Sequence, residues 1–183
     1  MSTAPISRRT FLQTSAIFAG GIWLVGCSES RPDDFNILTR SEAEIMDILA
    51  DTVIPPDDDP GGKQAGVTSF IDQQLDKHLH RDKEIYKTCL PALNKSSESD
   101  FGSLFIRLDE NRRTDYLTAI ESGEYDDRLD KELWGNFMPS SFFNTVRDHC
   151  MMGYYGHPRH GGNKDYPGYK LLGLSIEQSP TQP

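Results

Sequence analysis

The chain is poor in the features that announce an enzyme. It has three cysteines, Cys27, Cys89 and Cys150, and no Cys-x-x-Cys or His-Glu-x-x-His spacing, so the common zinc motifs are missing. Without Cys-x-x-Cys-His, covalent c-type haem is not expected. No Gly-x-Gly-x-x-Gly, phosphate-binding loop or Gly-x-Ser-x-Gly occurs, which removes the dinucleotide, nucleotide and hydrolase-elbow fingerprints. Basic residues are scarce: 19 against 28 acidic, a formal net charge of −9. That balance argues against nucleic acid and against electrostatic binding to a membrane. No alternating run of strand length and no internal repeat is visible. The length, 183 residues, allows one domain.

What is present begins with an N-terminus that reads as an address and not as structure. Ser7-Arg8-Arg9-Thr10-Phe11-Leu12 matches the twin-arginine export pattern, with Gln13 in place of the usual Lys. A moderately apolar run from Phe11 to Gly26 follows, with no acid before Glu29. It is marginal in length and apolarity for a transmembrane helix, although an uncleaved anchor is the alternative. The run stops at Leu24-Val25-Gly26-Cys27, which resembles a bacterial lipobox with Cys27 as the lipidated residue; a chance cysteine beside an ordinary cleavage site is the alternative. Twin-arginine export carries folded proteins. The expected location is therefore periplasmic, lipid-anchored to a bacterial membrane. Removal of residues 1–26 would leave 17 basic and 28 acidic residues, a net charge of −11.

Residues 27–36 read as a tether, 37–174 as a helical domain and 175–183 as a disordered tail. Thr39 with Glu42 forms a capping box for a first helix, which Pro55-Pro56 ends. Residues 55–66 form a Pro/Asp/Gly-rich loop; Asp57-Asp58-Asp59 lacks the ligand alternation of a calcium loop. Val67 to Leu79 marks a second helix. Ile85 to Leu93 marks a third, kinked or ended near Pro91, and the Ser-rich stretch Lys95 to Asp100 predicts a break. Asp109 caps a helix that Gly123 stops. Ser140 or Ser141 is expected to cap the last helix, with Phe142, Phe143, Val146, Cys150 and Met151 facing inward. Met152 is expected in the core as well. The fold class is all-α: an irregular helical domain with an extended Gly/Tyr-rich C-terminal arm.

That arm, Gly153 to Gly173, holds six glycines, two prolines, four tyrosines and a Leu-Leu pair. It is too broken for regular structure and too aromatic for a solvated linker. Its rings must pack on this chain or on a partner. His157 and His160, with His149 and Cys150 upstream, are the one histidine cluster. A closed zinc site needs four well-placed ligands, so no metal is expected.

Gly153-Tyr154-Tyr155-Gly156, then Pro158, Gly161-Gly162-Asn163 and an aromatic before a Gly-terminated apolar turn resemble the gluconate 2-dehydrogenase subunit 3 family. So do Leu38 to Glu44, Asp51-Thr52-Val53-Ile54-Pro55, Gly61 to Val67 and Phe70-Ile71-Asp72. The resemblance spans roughly residues 37 to 173. It implies a non-catalytic, cofactor-free small subunit. Its partner would be a large FAD-dependent dehydrogenase subunit of the glucose-methanol-choline type, oxidising a sugar, sugar acid or glycoside. A c-type cytochrome carrying haem would accept the electrons. The small subunit would bring its twin-arginine signal to the complex as an escort, and aid stability. Exposed tyrosines beside Gly, Arg and Asn are typical interface anchors. Tyr154, Tyr155, His157, Arg159, His160, Asn163, Tyr166 and Tyr169 are therefore the expected partner interface. Cys89 and Cys150 could pair in an oxidising compartment; two buried free thiols are the alternative. A lone lipoprotein binding module or chaperone remains a second reading of the whole chain. An enzyme with an unrecognised histidine site is a third.

Overall fold

In the computed structural model, which describes residues 35–174, Thr39 opens the domain as expected. Its hydroxyl accepts from Glu42 N, and Glu42 Oε2 accepts from Thr39 N (2.7 Å), so helix α1 (Arg40–Val53) starts with a reciprocal capping box. Lys87 Nζ reaches the same carboxylate oxygen (2.6 Å) and so joins α1 to the third helix. The helix stops before Pro55-Pro56. The loop folds back onto it: Lys63 N donates to Asp51 Oδ1 (2.7 Å), and Thr68 Oγ1 donates to Asp47 Oδ1 (2.6 Å). Helix α2 (Val67–Asp76) follows a left-handed Gly66.

Asp72, buried on α2, accepts backbone N–H groups from Asn36 (2.8 Å), Ile37 (2.9 Å) and Leu38 (2.8 Å). A single carboxylate thus satisfies the three consecutive amides that lead into α1. Leu38 is buried, and its amide left unbonded there would cost about 1–3 kcal/mol.

Helix α3 (Lys83–Phe101) departs from the expected break. It runs through Pro91 and through the serine-rich stretch. Pro91 and Lys87, whose carbonyl the proline cannot bond, both lie exposed, so solvent can take that carbonyl. The serines are held by partners that the local sequence does not display. Ser96 and Tyr116 share a hydroxyl–hydroxyl bond, and Ser97 Oγ donates to Ser103 O (2.7 Å). Helix α4 (Glu110–Glu121) is capped by Asp109 and ended at Gly123, as expected. Two short helices, α5 (Glu124–Asp127) and α6 (Lys131–Trp134), lead to α7 (Pro139–Tyr155).

The start of α7 differs from expectation. Neither serine is the cap. Pro139 occupies the first turn, where a missing N–H costs nothing, and Asp126 of α5 accepts from both Ser140 N (3.0 Å) and Ser140 Oγ. The core lies where α7 meets α2, α3 and α4, around Met46, Leu49, Ile71, Tyr86, Leu90, Tyr116, Trp134 and Phe142. Trp134 and Tyr86 pack edge-on to Phe142 at 6.0 and 6.1 Å. Among the described residues no strand is present, and the chain is all-α.

Cys89 and Cys150 are buried free thiols in this core, not a disulfide. Burial pushes both up to about 12, so neither is a reactive thiolate. The Arg8-Arg9 motif, the apolar run, Cys27 and the tail from Ser175 lie outside the described residues. Among the described residues no helix is long and apolar enough to cross a membrane.

His149 of α7 stands apart from His157 and His160. Its Nδ1 lies 3.0 Å from the buried Tyr86 hydroxyl, and Nε2 faces Asp82 Oδ2 at 3.9 Å. The nearby carboxylate favours a proton on Nε2, which leaves Nδ1 to accept from Tyr86. Burial holds the imidazole below its ordinary value of about 6.5; Asp82 and Asp148 pull upward and do not prevail. The folded state therefore resists a proton that the unfolded chain takes up. This contribution to stability is full above the unfolded value and declines as pH falls through the folded one. Urea denaturation of wild type and His149→Gln between about pH 7.5 and 5 should show wild type losing stability faster on acidification. Parallel curves would refute this assignment.

Candidate functional site

The C-terminal arm begins inside a helix. Gly153 stays helical and lies where α7 crosses α2; a Cβ there would meet Phe70 Cδ1 at 2.9 Å, so only glycine permits this approach. Helix α7 continues through Tyr155 and ends at Gly156. His157 then caps a 3-10 turn, Pro158–His160, by accepting from Arg159 N (3.1 Å). The chain reverses, and helix α8 (Pro167–Leu171) returns across the end of α7. The arm is thus folded back on its own domain. Cβ atoms at Gly162 and Gly168 would collide with the carbonyl oxygens of Gly153 and Tyr154.

Asn163 holds the reversal together. It is fully buried, with φ of 49°, a conformation that asparagine tolerates better than most residues. Its Nδ2 donates to Gly156 O (2.9 Å), and its Oδ1 accepts from Gly168 N (3.0 Å). One side chain therefore ties the end of α7 to the start of α8. Lys164 N donates to Ala65 O (2.9 Å), which adds the α1–α2 loop to the assembly.

These contacts divide the eight expected interface residues. Asn163 and Tyr154 are interior, a correction to their expected exposure. Tyr154 is 1% exposed, and its hydroxyl donates to Pro60 O (2.8 Å). Tyr155, His157, Tyr166 and Tyr169 are half-buried, and Arg159 and His160 are exposed. Their rings form a chain over the surface: His160 to His157 at 6.5 Å, His157 to Tyr169 at 6.4 Å, and Tyr169 to Tyr166 at 6.0 Å. Tyr166 has φ of 63°, which costs a bulky residue roughly 1–2 kcal/mol. The turn bond from Tyr166 N to Asn163 O (2.9 Å) helps to hold it.

Other surface features escaped sequence reasoning. Met151 and Met152, expected inside, are 45% and 50% exposed. His149 and Cys150 take the inward positions of that turn. Leu171, Leu172 and Leu174 are 53%, 58% and 44% exposed. The Leu-Leu pair was the one available signal, since two apolar residues before Gly173 in a five-residue helix cannot both face a core.

A polar recess of about 380 Å³ elsewhere is lined by Ser96, Tyr125, Arg128 and Trp134 among others. Its arginine is matched: Arg128 pairs with Asp100 (2.9 Å) and Glu124 (3.2 Å) and stacks over Tyr125, whose hydroxyl also bonds Asp100. Among the described residues no group of three or more His, Cys, Asp or Glu side chains could hold a metal ion, and no buried side-chain N or O lacks a partner.

Asn163→Ala would strand the buried Gly168 N–H and free Gly156 O. A loss of about 2–3 kcal/mol is expected in urea denaturation, with faster tryptic cleavage after Arg159, Lys164 or Lys170. Unchanged stability and unchanged cleavage would show that the reversal does not depend on this side chain.

No curated protein and no solved structure matches this chain. A family model does, that of gluconate 2-dehydrogenase subunit 3, over residues 40–174. The match starts at the first residue of α1 and runs through the whole arm. The chain therefore belongs to the gluconate 2-dehydrogenase subunit 3 family, accessory subunits of a dehydrogenase complex.

Proposed function

We propose that this chain is the non-catalytic small subunit of a periplasmic FAD-dependent dehydrogenase of the glucose-methanol-choline type. It assists export, folding and stability of the flavoprotein subunit. The FAD belongs to that large subunit, and a c-type cytochrome takes the electrons onward. The observation that carries this reading is the family match through an arm whose surface is unusually apolar. Half-buried Tyr155, Tyr166 and Tyr169 share the arm and the end of α7 with exposed Met151, Met152, Leu171 and Leu172. Such residues invite association when left in water, and they gain from burial against a partner while the tyrosine hydroxyls keep their hydrogen bonds. The export role rests on Ser7-Arg8-Arg9-Thr10-Phe11-Leu12, and the membrane attachment on Leu24-Val25-Gly26-Cys27. A twin-arginine signal suits an escort, since a flavoprotein that gains FAD in the cytoplasm must cross the membrane folded.

Co-expression with the dehydrogenase chain and affinity purification of this subunit should recover a yellow, FAD-containing partner. Tyr169→Ala should weaken that complex by about 2 kcal/mol, near thirtyfold, with little change in the helical circular dichroism of the free subunit. Replacing Arg8 and Arg9 by Lys together should leave both chains in the cytoplasm. Purification without a flavoprotein would sink the subunit assignment. Export of both chains in the double variant would sink the escort role alone.

A further inference from the structure

The fold brings together basic side chains that lie about eighty positions apart in sequence. Lys77 and His78 follow the last turn of α2. The Pro158–His160 turn packs on the same end of that helix: Gln74 Nε2 donates to His160 O (3.3 Å), and the Gln73 side chain lies against Gly161. On the turn, Arg159 Nε donates to His160 Nε2 (3.1 Å), and the His157 ring stands edge-on to His160. Lys77, His78, Arg159 and His160 are all exposed. None of these four is in an ion pair with a carboxylate of the described residues. Asp76, adjacent to Lys77, pairs instead with Lys83 (3.7 Å). The crowding is felt at His160, which desolvation, then Arg159, His157, His78 and Lys77, all hold below the ordinary imidazole value.

We propose that this cationic cluster is an electrostatic docking point for a carboxylate-bearing face of the large dehydrogenase subunit. The inference rests on the subunit assignment above and adds the part of the surface, and the charge, through which the partner is recognised. The fixed charges are those of Lys77 and Arg159, since His160 Nε2 accepts from Arg159 and carries no proton there. Like charges held together on a folded surface raise its free energy, and a complementary partner removes that cost. The backbone of the turn that bears Arg159 and His160 is held by Gln74 and lies between the two ends that Asn163 ties, so the turn keeps its place beside the end of α2. Charge complementarity selects the partner. The chain as a whole carries −9, so an anionic bilayer is repelled by most of its surface, whereas a local patch of Asp or Glu side chains meets only the cluster. The cluster is also continuous with the apolar face: His157 contacts Tyr169 at 6.4 Å. An apolar, aromatic centre with a charged rim is the usual anatomy of a protein–protein interface.

The test uses the full chain co-expressed with the dehydrogenase subunit, comparing wild type with the Lys77→Glu/Arg159→Glu double variant. Affinity is measured from about 50 to 500 mM salt, spanning strong and weak screening. Both positions are exposed, and circular dichroism checks the fold; Arg159→Gln serves as a milder single change. The double variant should bind at least about tenfold more weakly at low salt, with the gap closing as salt rises. A control with the same charge change outside the cluster, Arg107→Glu/Lys131→Glu, should stay within about twofold of wild type. If wild type recovers no flavoprotein at any salt, the subunit assignment fails and the docking point with it. If the complex forms but the double variant matches wild type, or the control weakens it equally, the docking point is overturned and the subunit assignment stands. Loss of binding to anionic phosphatidylglycerol vesicles with flavoprotein affinity unchanged would instead make the cluster a lipid-headgroup site, and would overturn the proposal.

Discussion

The surface of this protein depends on the two hydrogen bonds of one buried amide. Asn163 bonds Gly156 O at the end of α7 and Gly168 N at the start of α8, and the segment between them is turned by it. Only a short side chain with both a donor and an acceptor can do this, and only from a left-handed backbone. Asn163 itself supplies that backbone, with φ of 49°, and the glycines supply a further condition, close approach. At Gly162 and Gly168 the arm approaches the carbonyls of Gly153 and Tyr154 more closely than any Cβ allows. The arm is therefore a built part of the domain. Its glycines serve contact distance as much as flexibility, and the tyrosines that remain at the surface are held in place before any partner arrives.

The same economy recurs at the other irregular joints. Asp72 collects three amides from the segment before α1, Asp126 caps the start of α7 from α5, and Glu42 serves both its own cap and Lys87 of α3. Short polar side chains take the backbone groups that a domain with so many loops and helix ends would otherwise bury unbonded. Among the described residues no buried side-chain polar atom is left without a partner.

How far the sequence can be read follows from the range of each interaction. The Thr39–Glu42 capping box, the Pro55-Pro56 stop, the Asp109 cap and the stop at Gly123 are settled within a few residues, and all are legible. The all-α class follows from them. The continuity of α3 through its serines is not, because it needs Tyr116 from another helix. The start of α7 needs Asp126, and the burial of Asn163 and Tyr154 needs the arm to have already turned back. Met151 turns outward and His149 lies inside for a similar reason: Tyr86 and Asp82 give the histidine a polar seat, and the arm leaves the methionine without cover. Lys77 and His78 carry no motif at all; only the packing of the 158–160 turn on α2 gives them a neighbour.

A division of labour within the arm reconciles its composition with an accessory role. Tyr154 and Asn163 look inward and bond Pro60, Gly156 and Gly168, so they determine where the backbone runs. Tyr155, Tyr166, Tyr169 and the His157–His160 turn look outward from that fixed backbone. Glycine and tyrosine are then two halves of one device. The first lets the chain lie flat against its own carbonyls, and the second spends the resulting rigidity on area that costs little side-chain entropy to bury. A flexible arm of the same composition would have to pay for its ordering at each encounter. One already folded loses less on association, which suits an accessory subunit whose arm meets its partner already in shape.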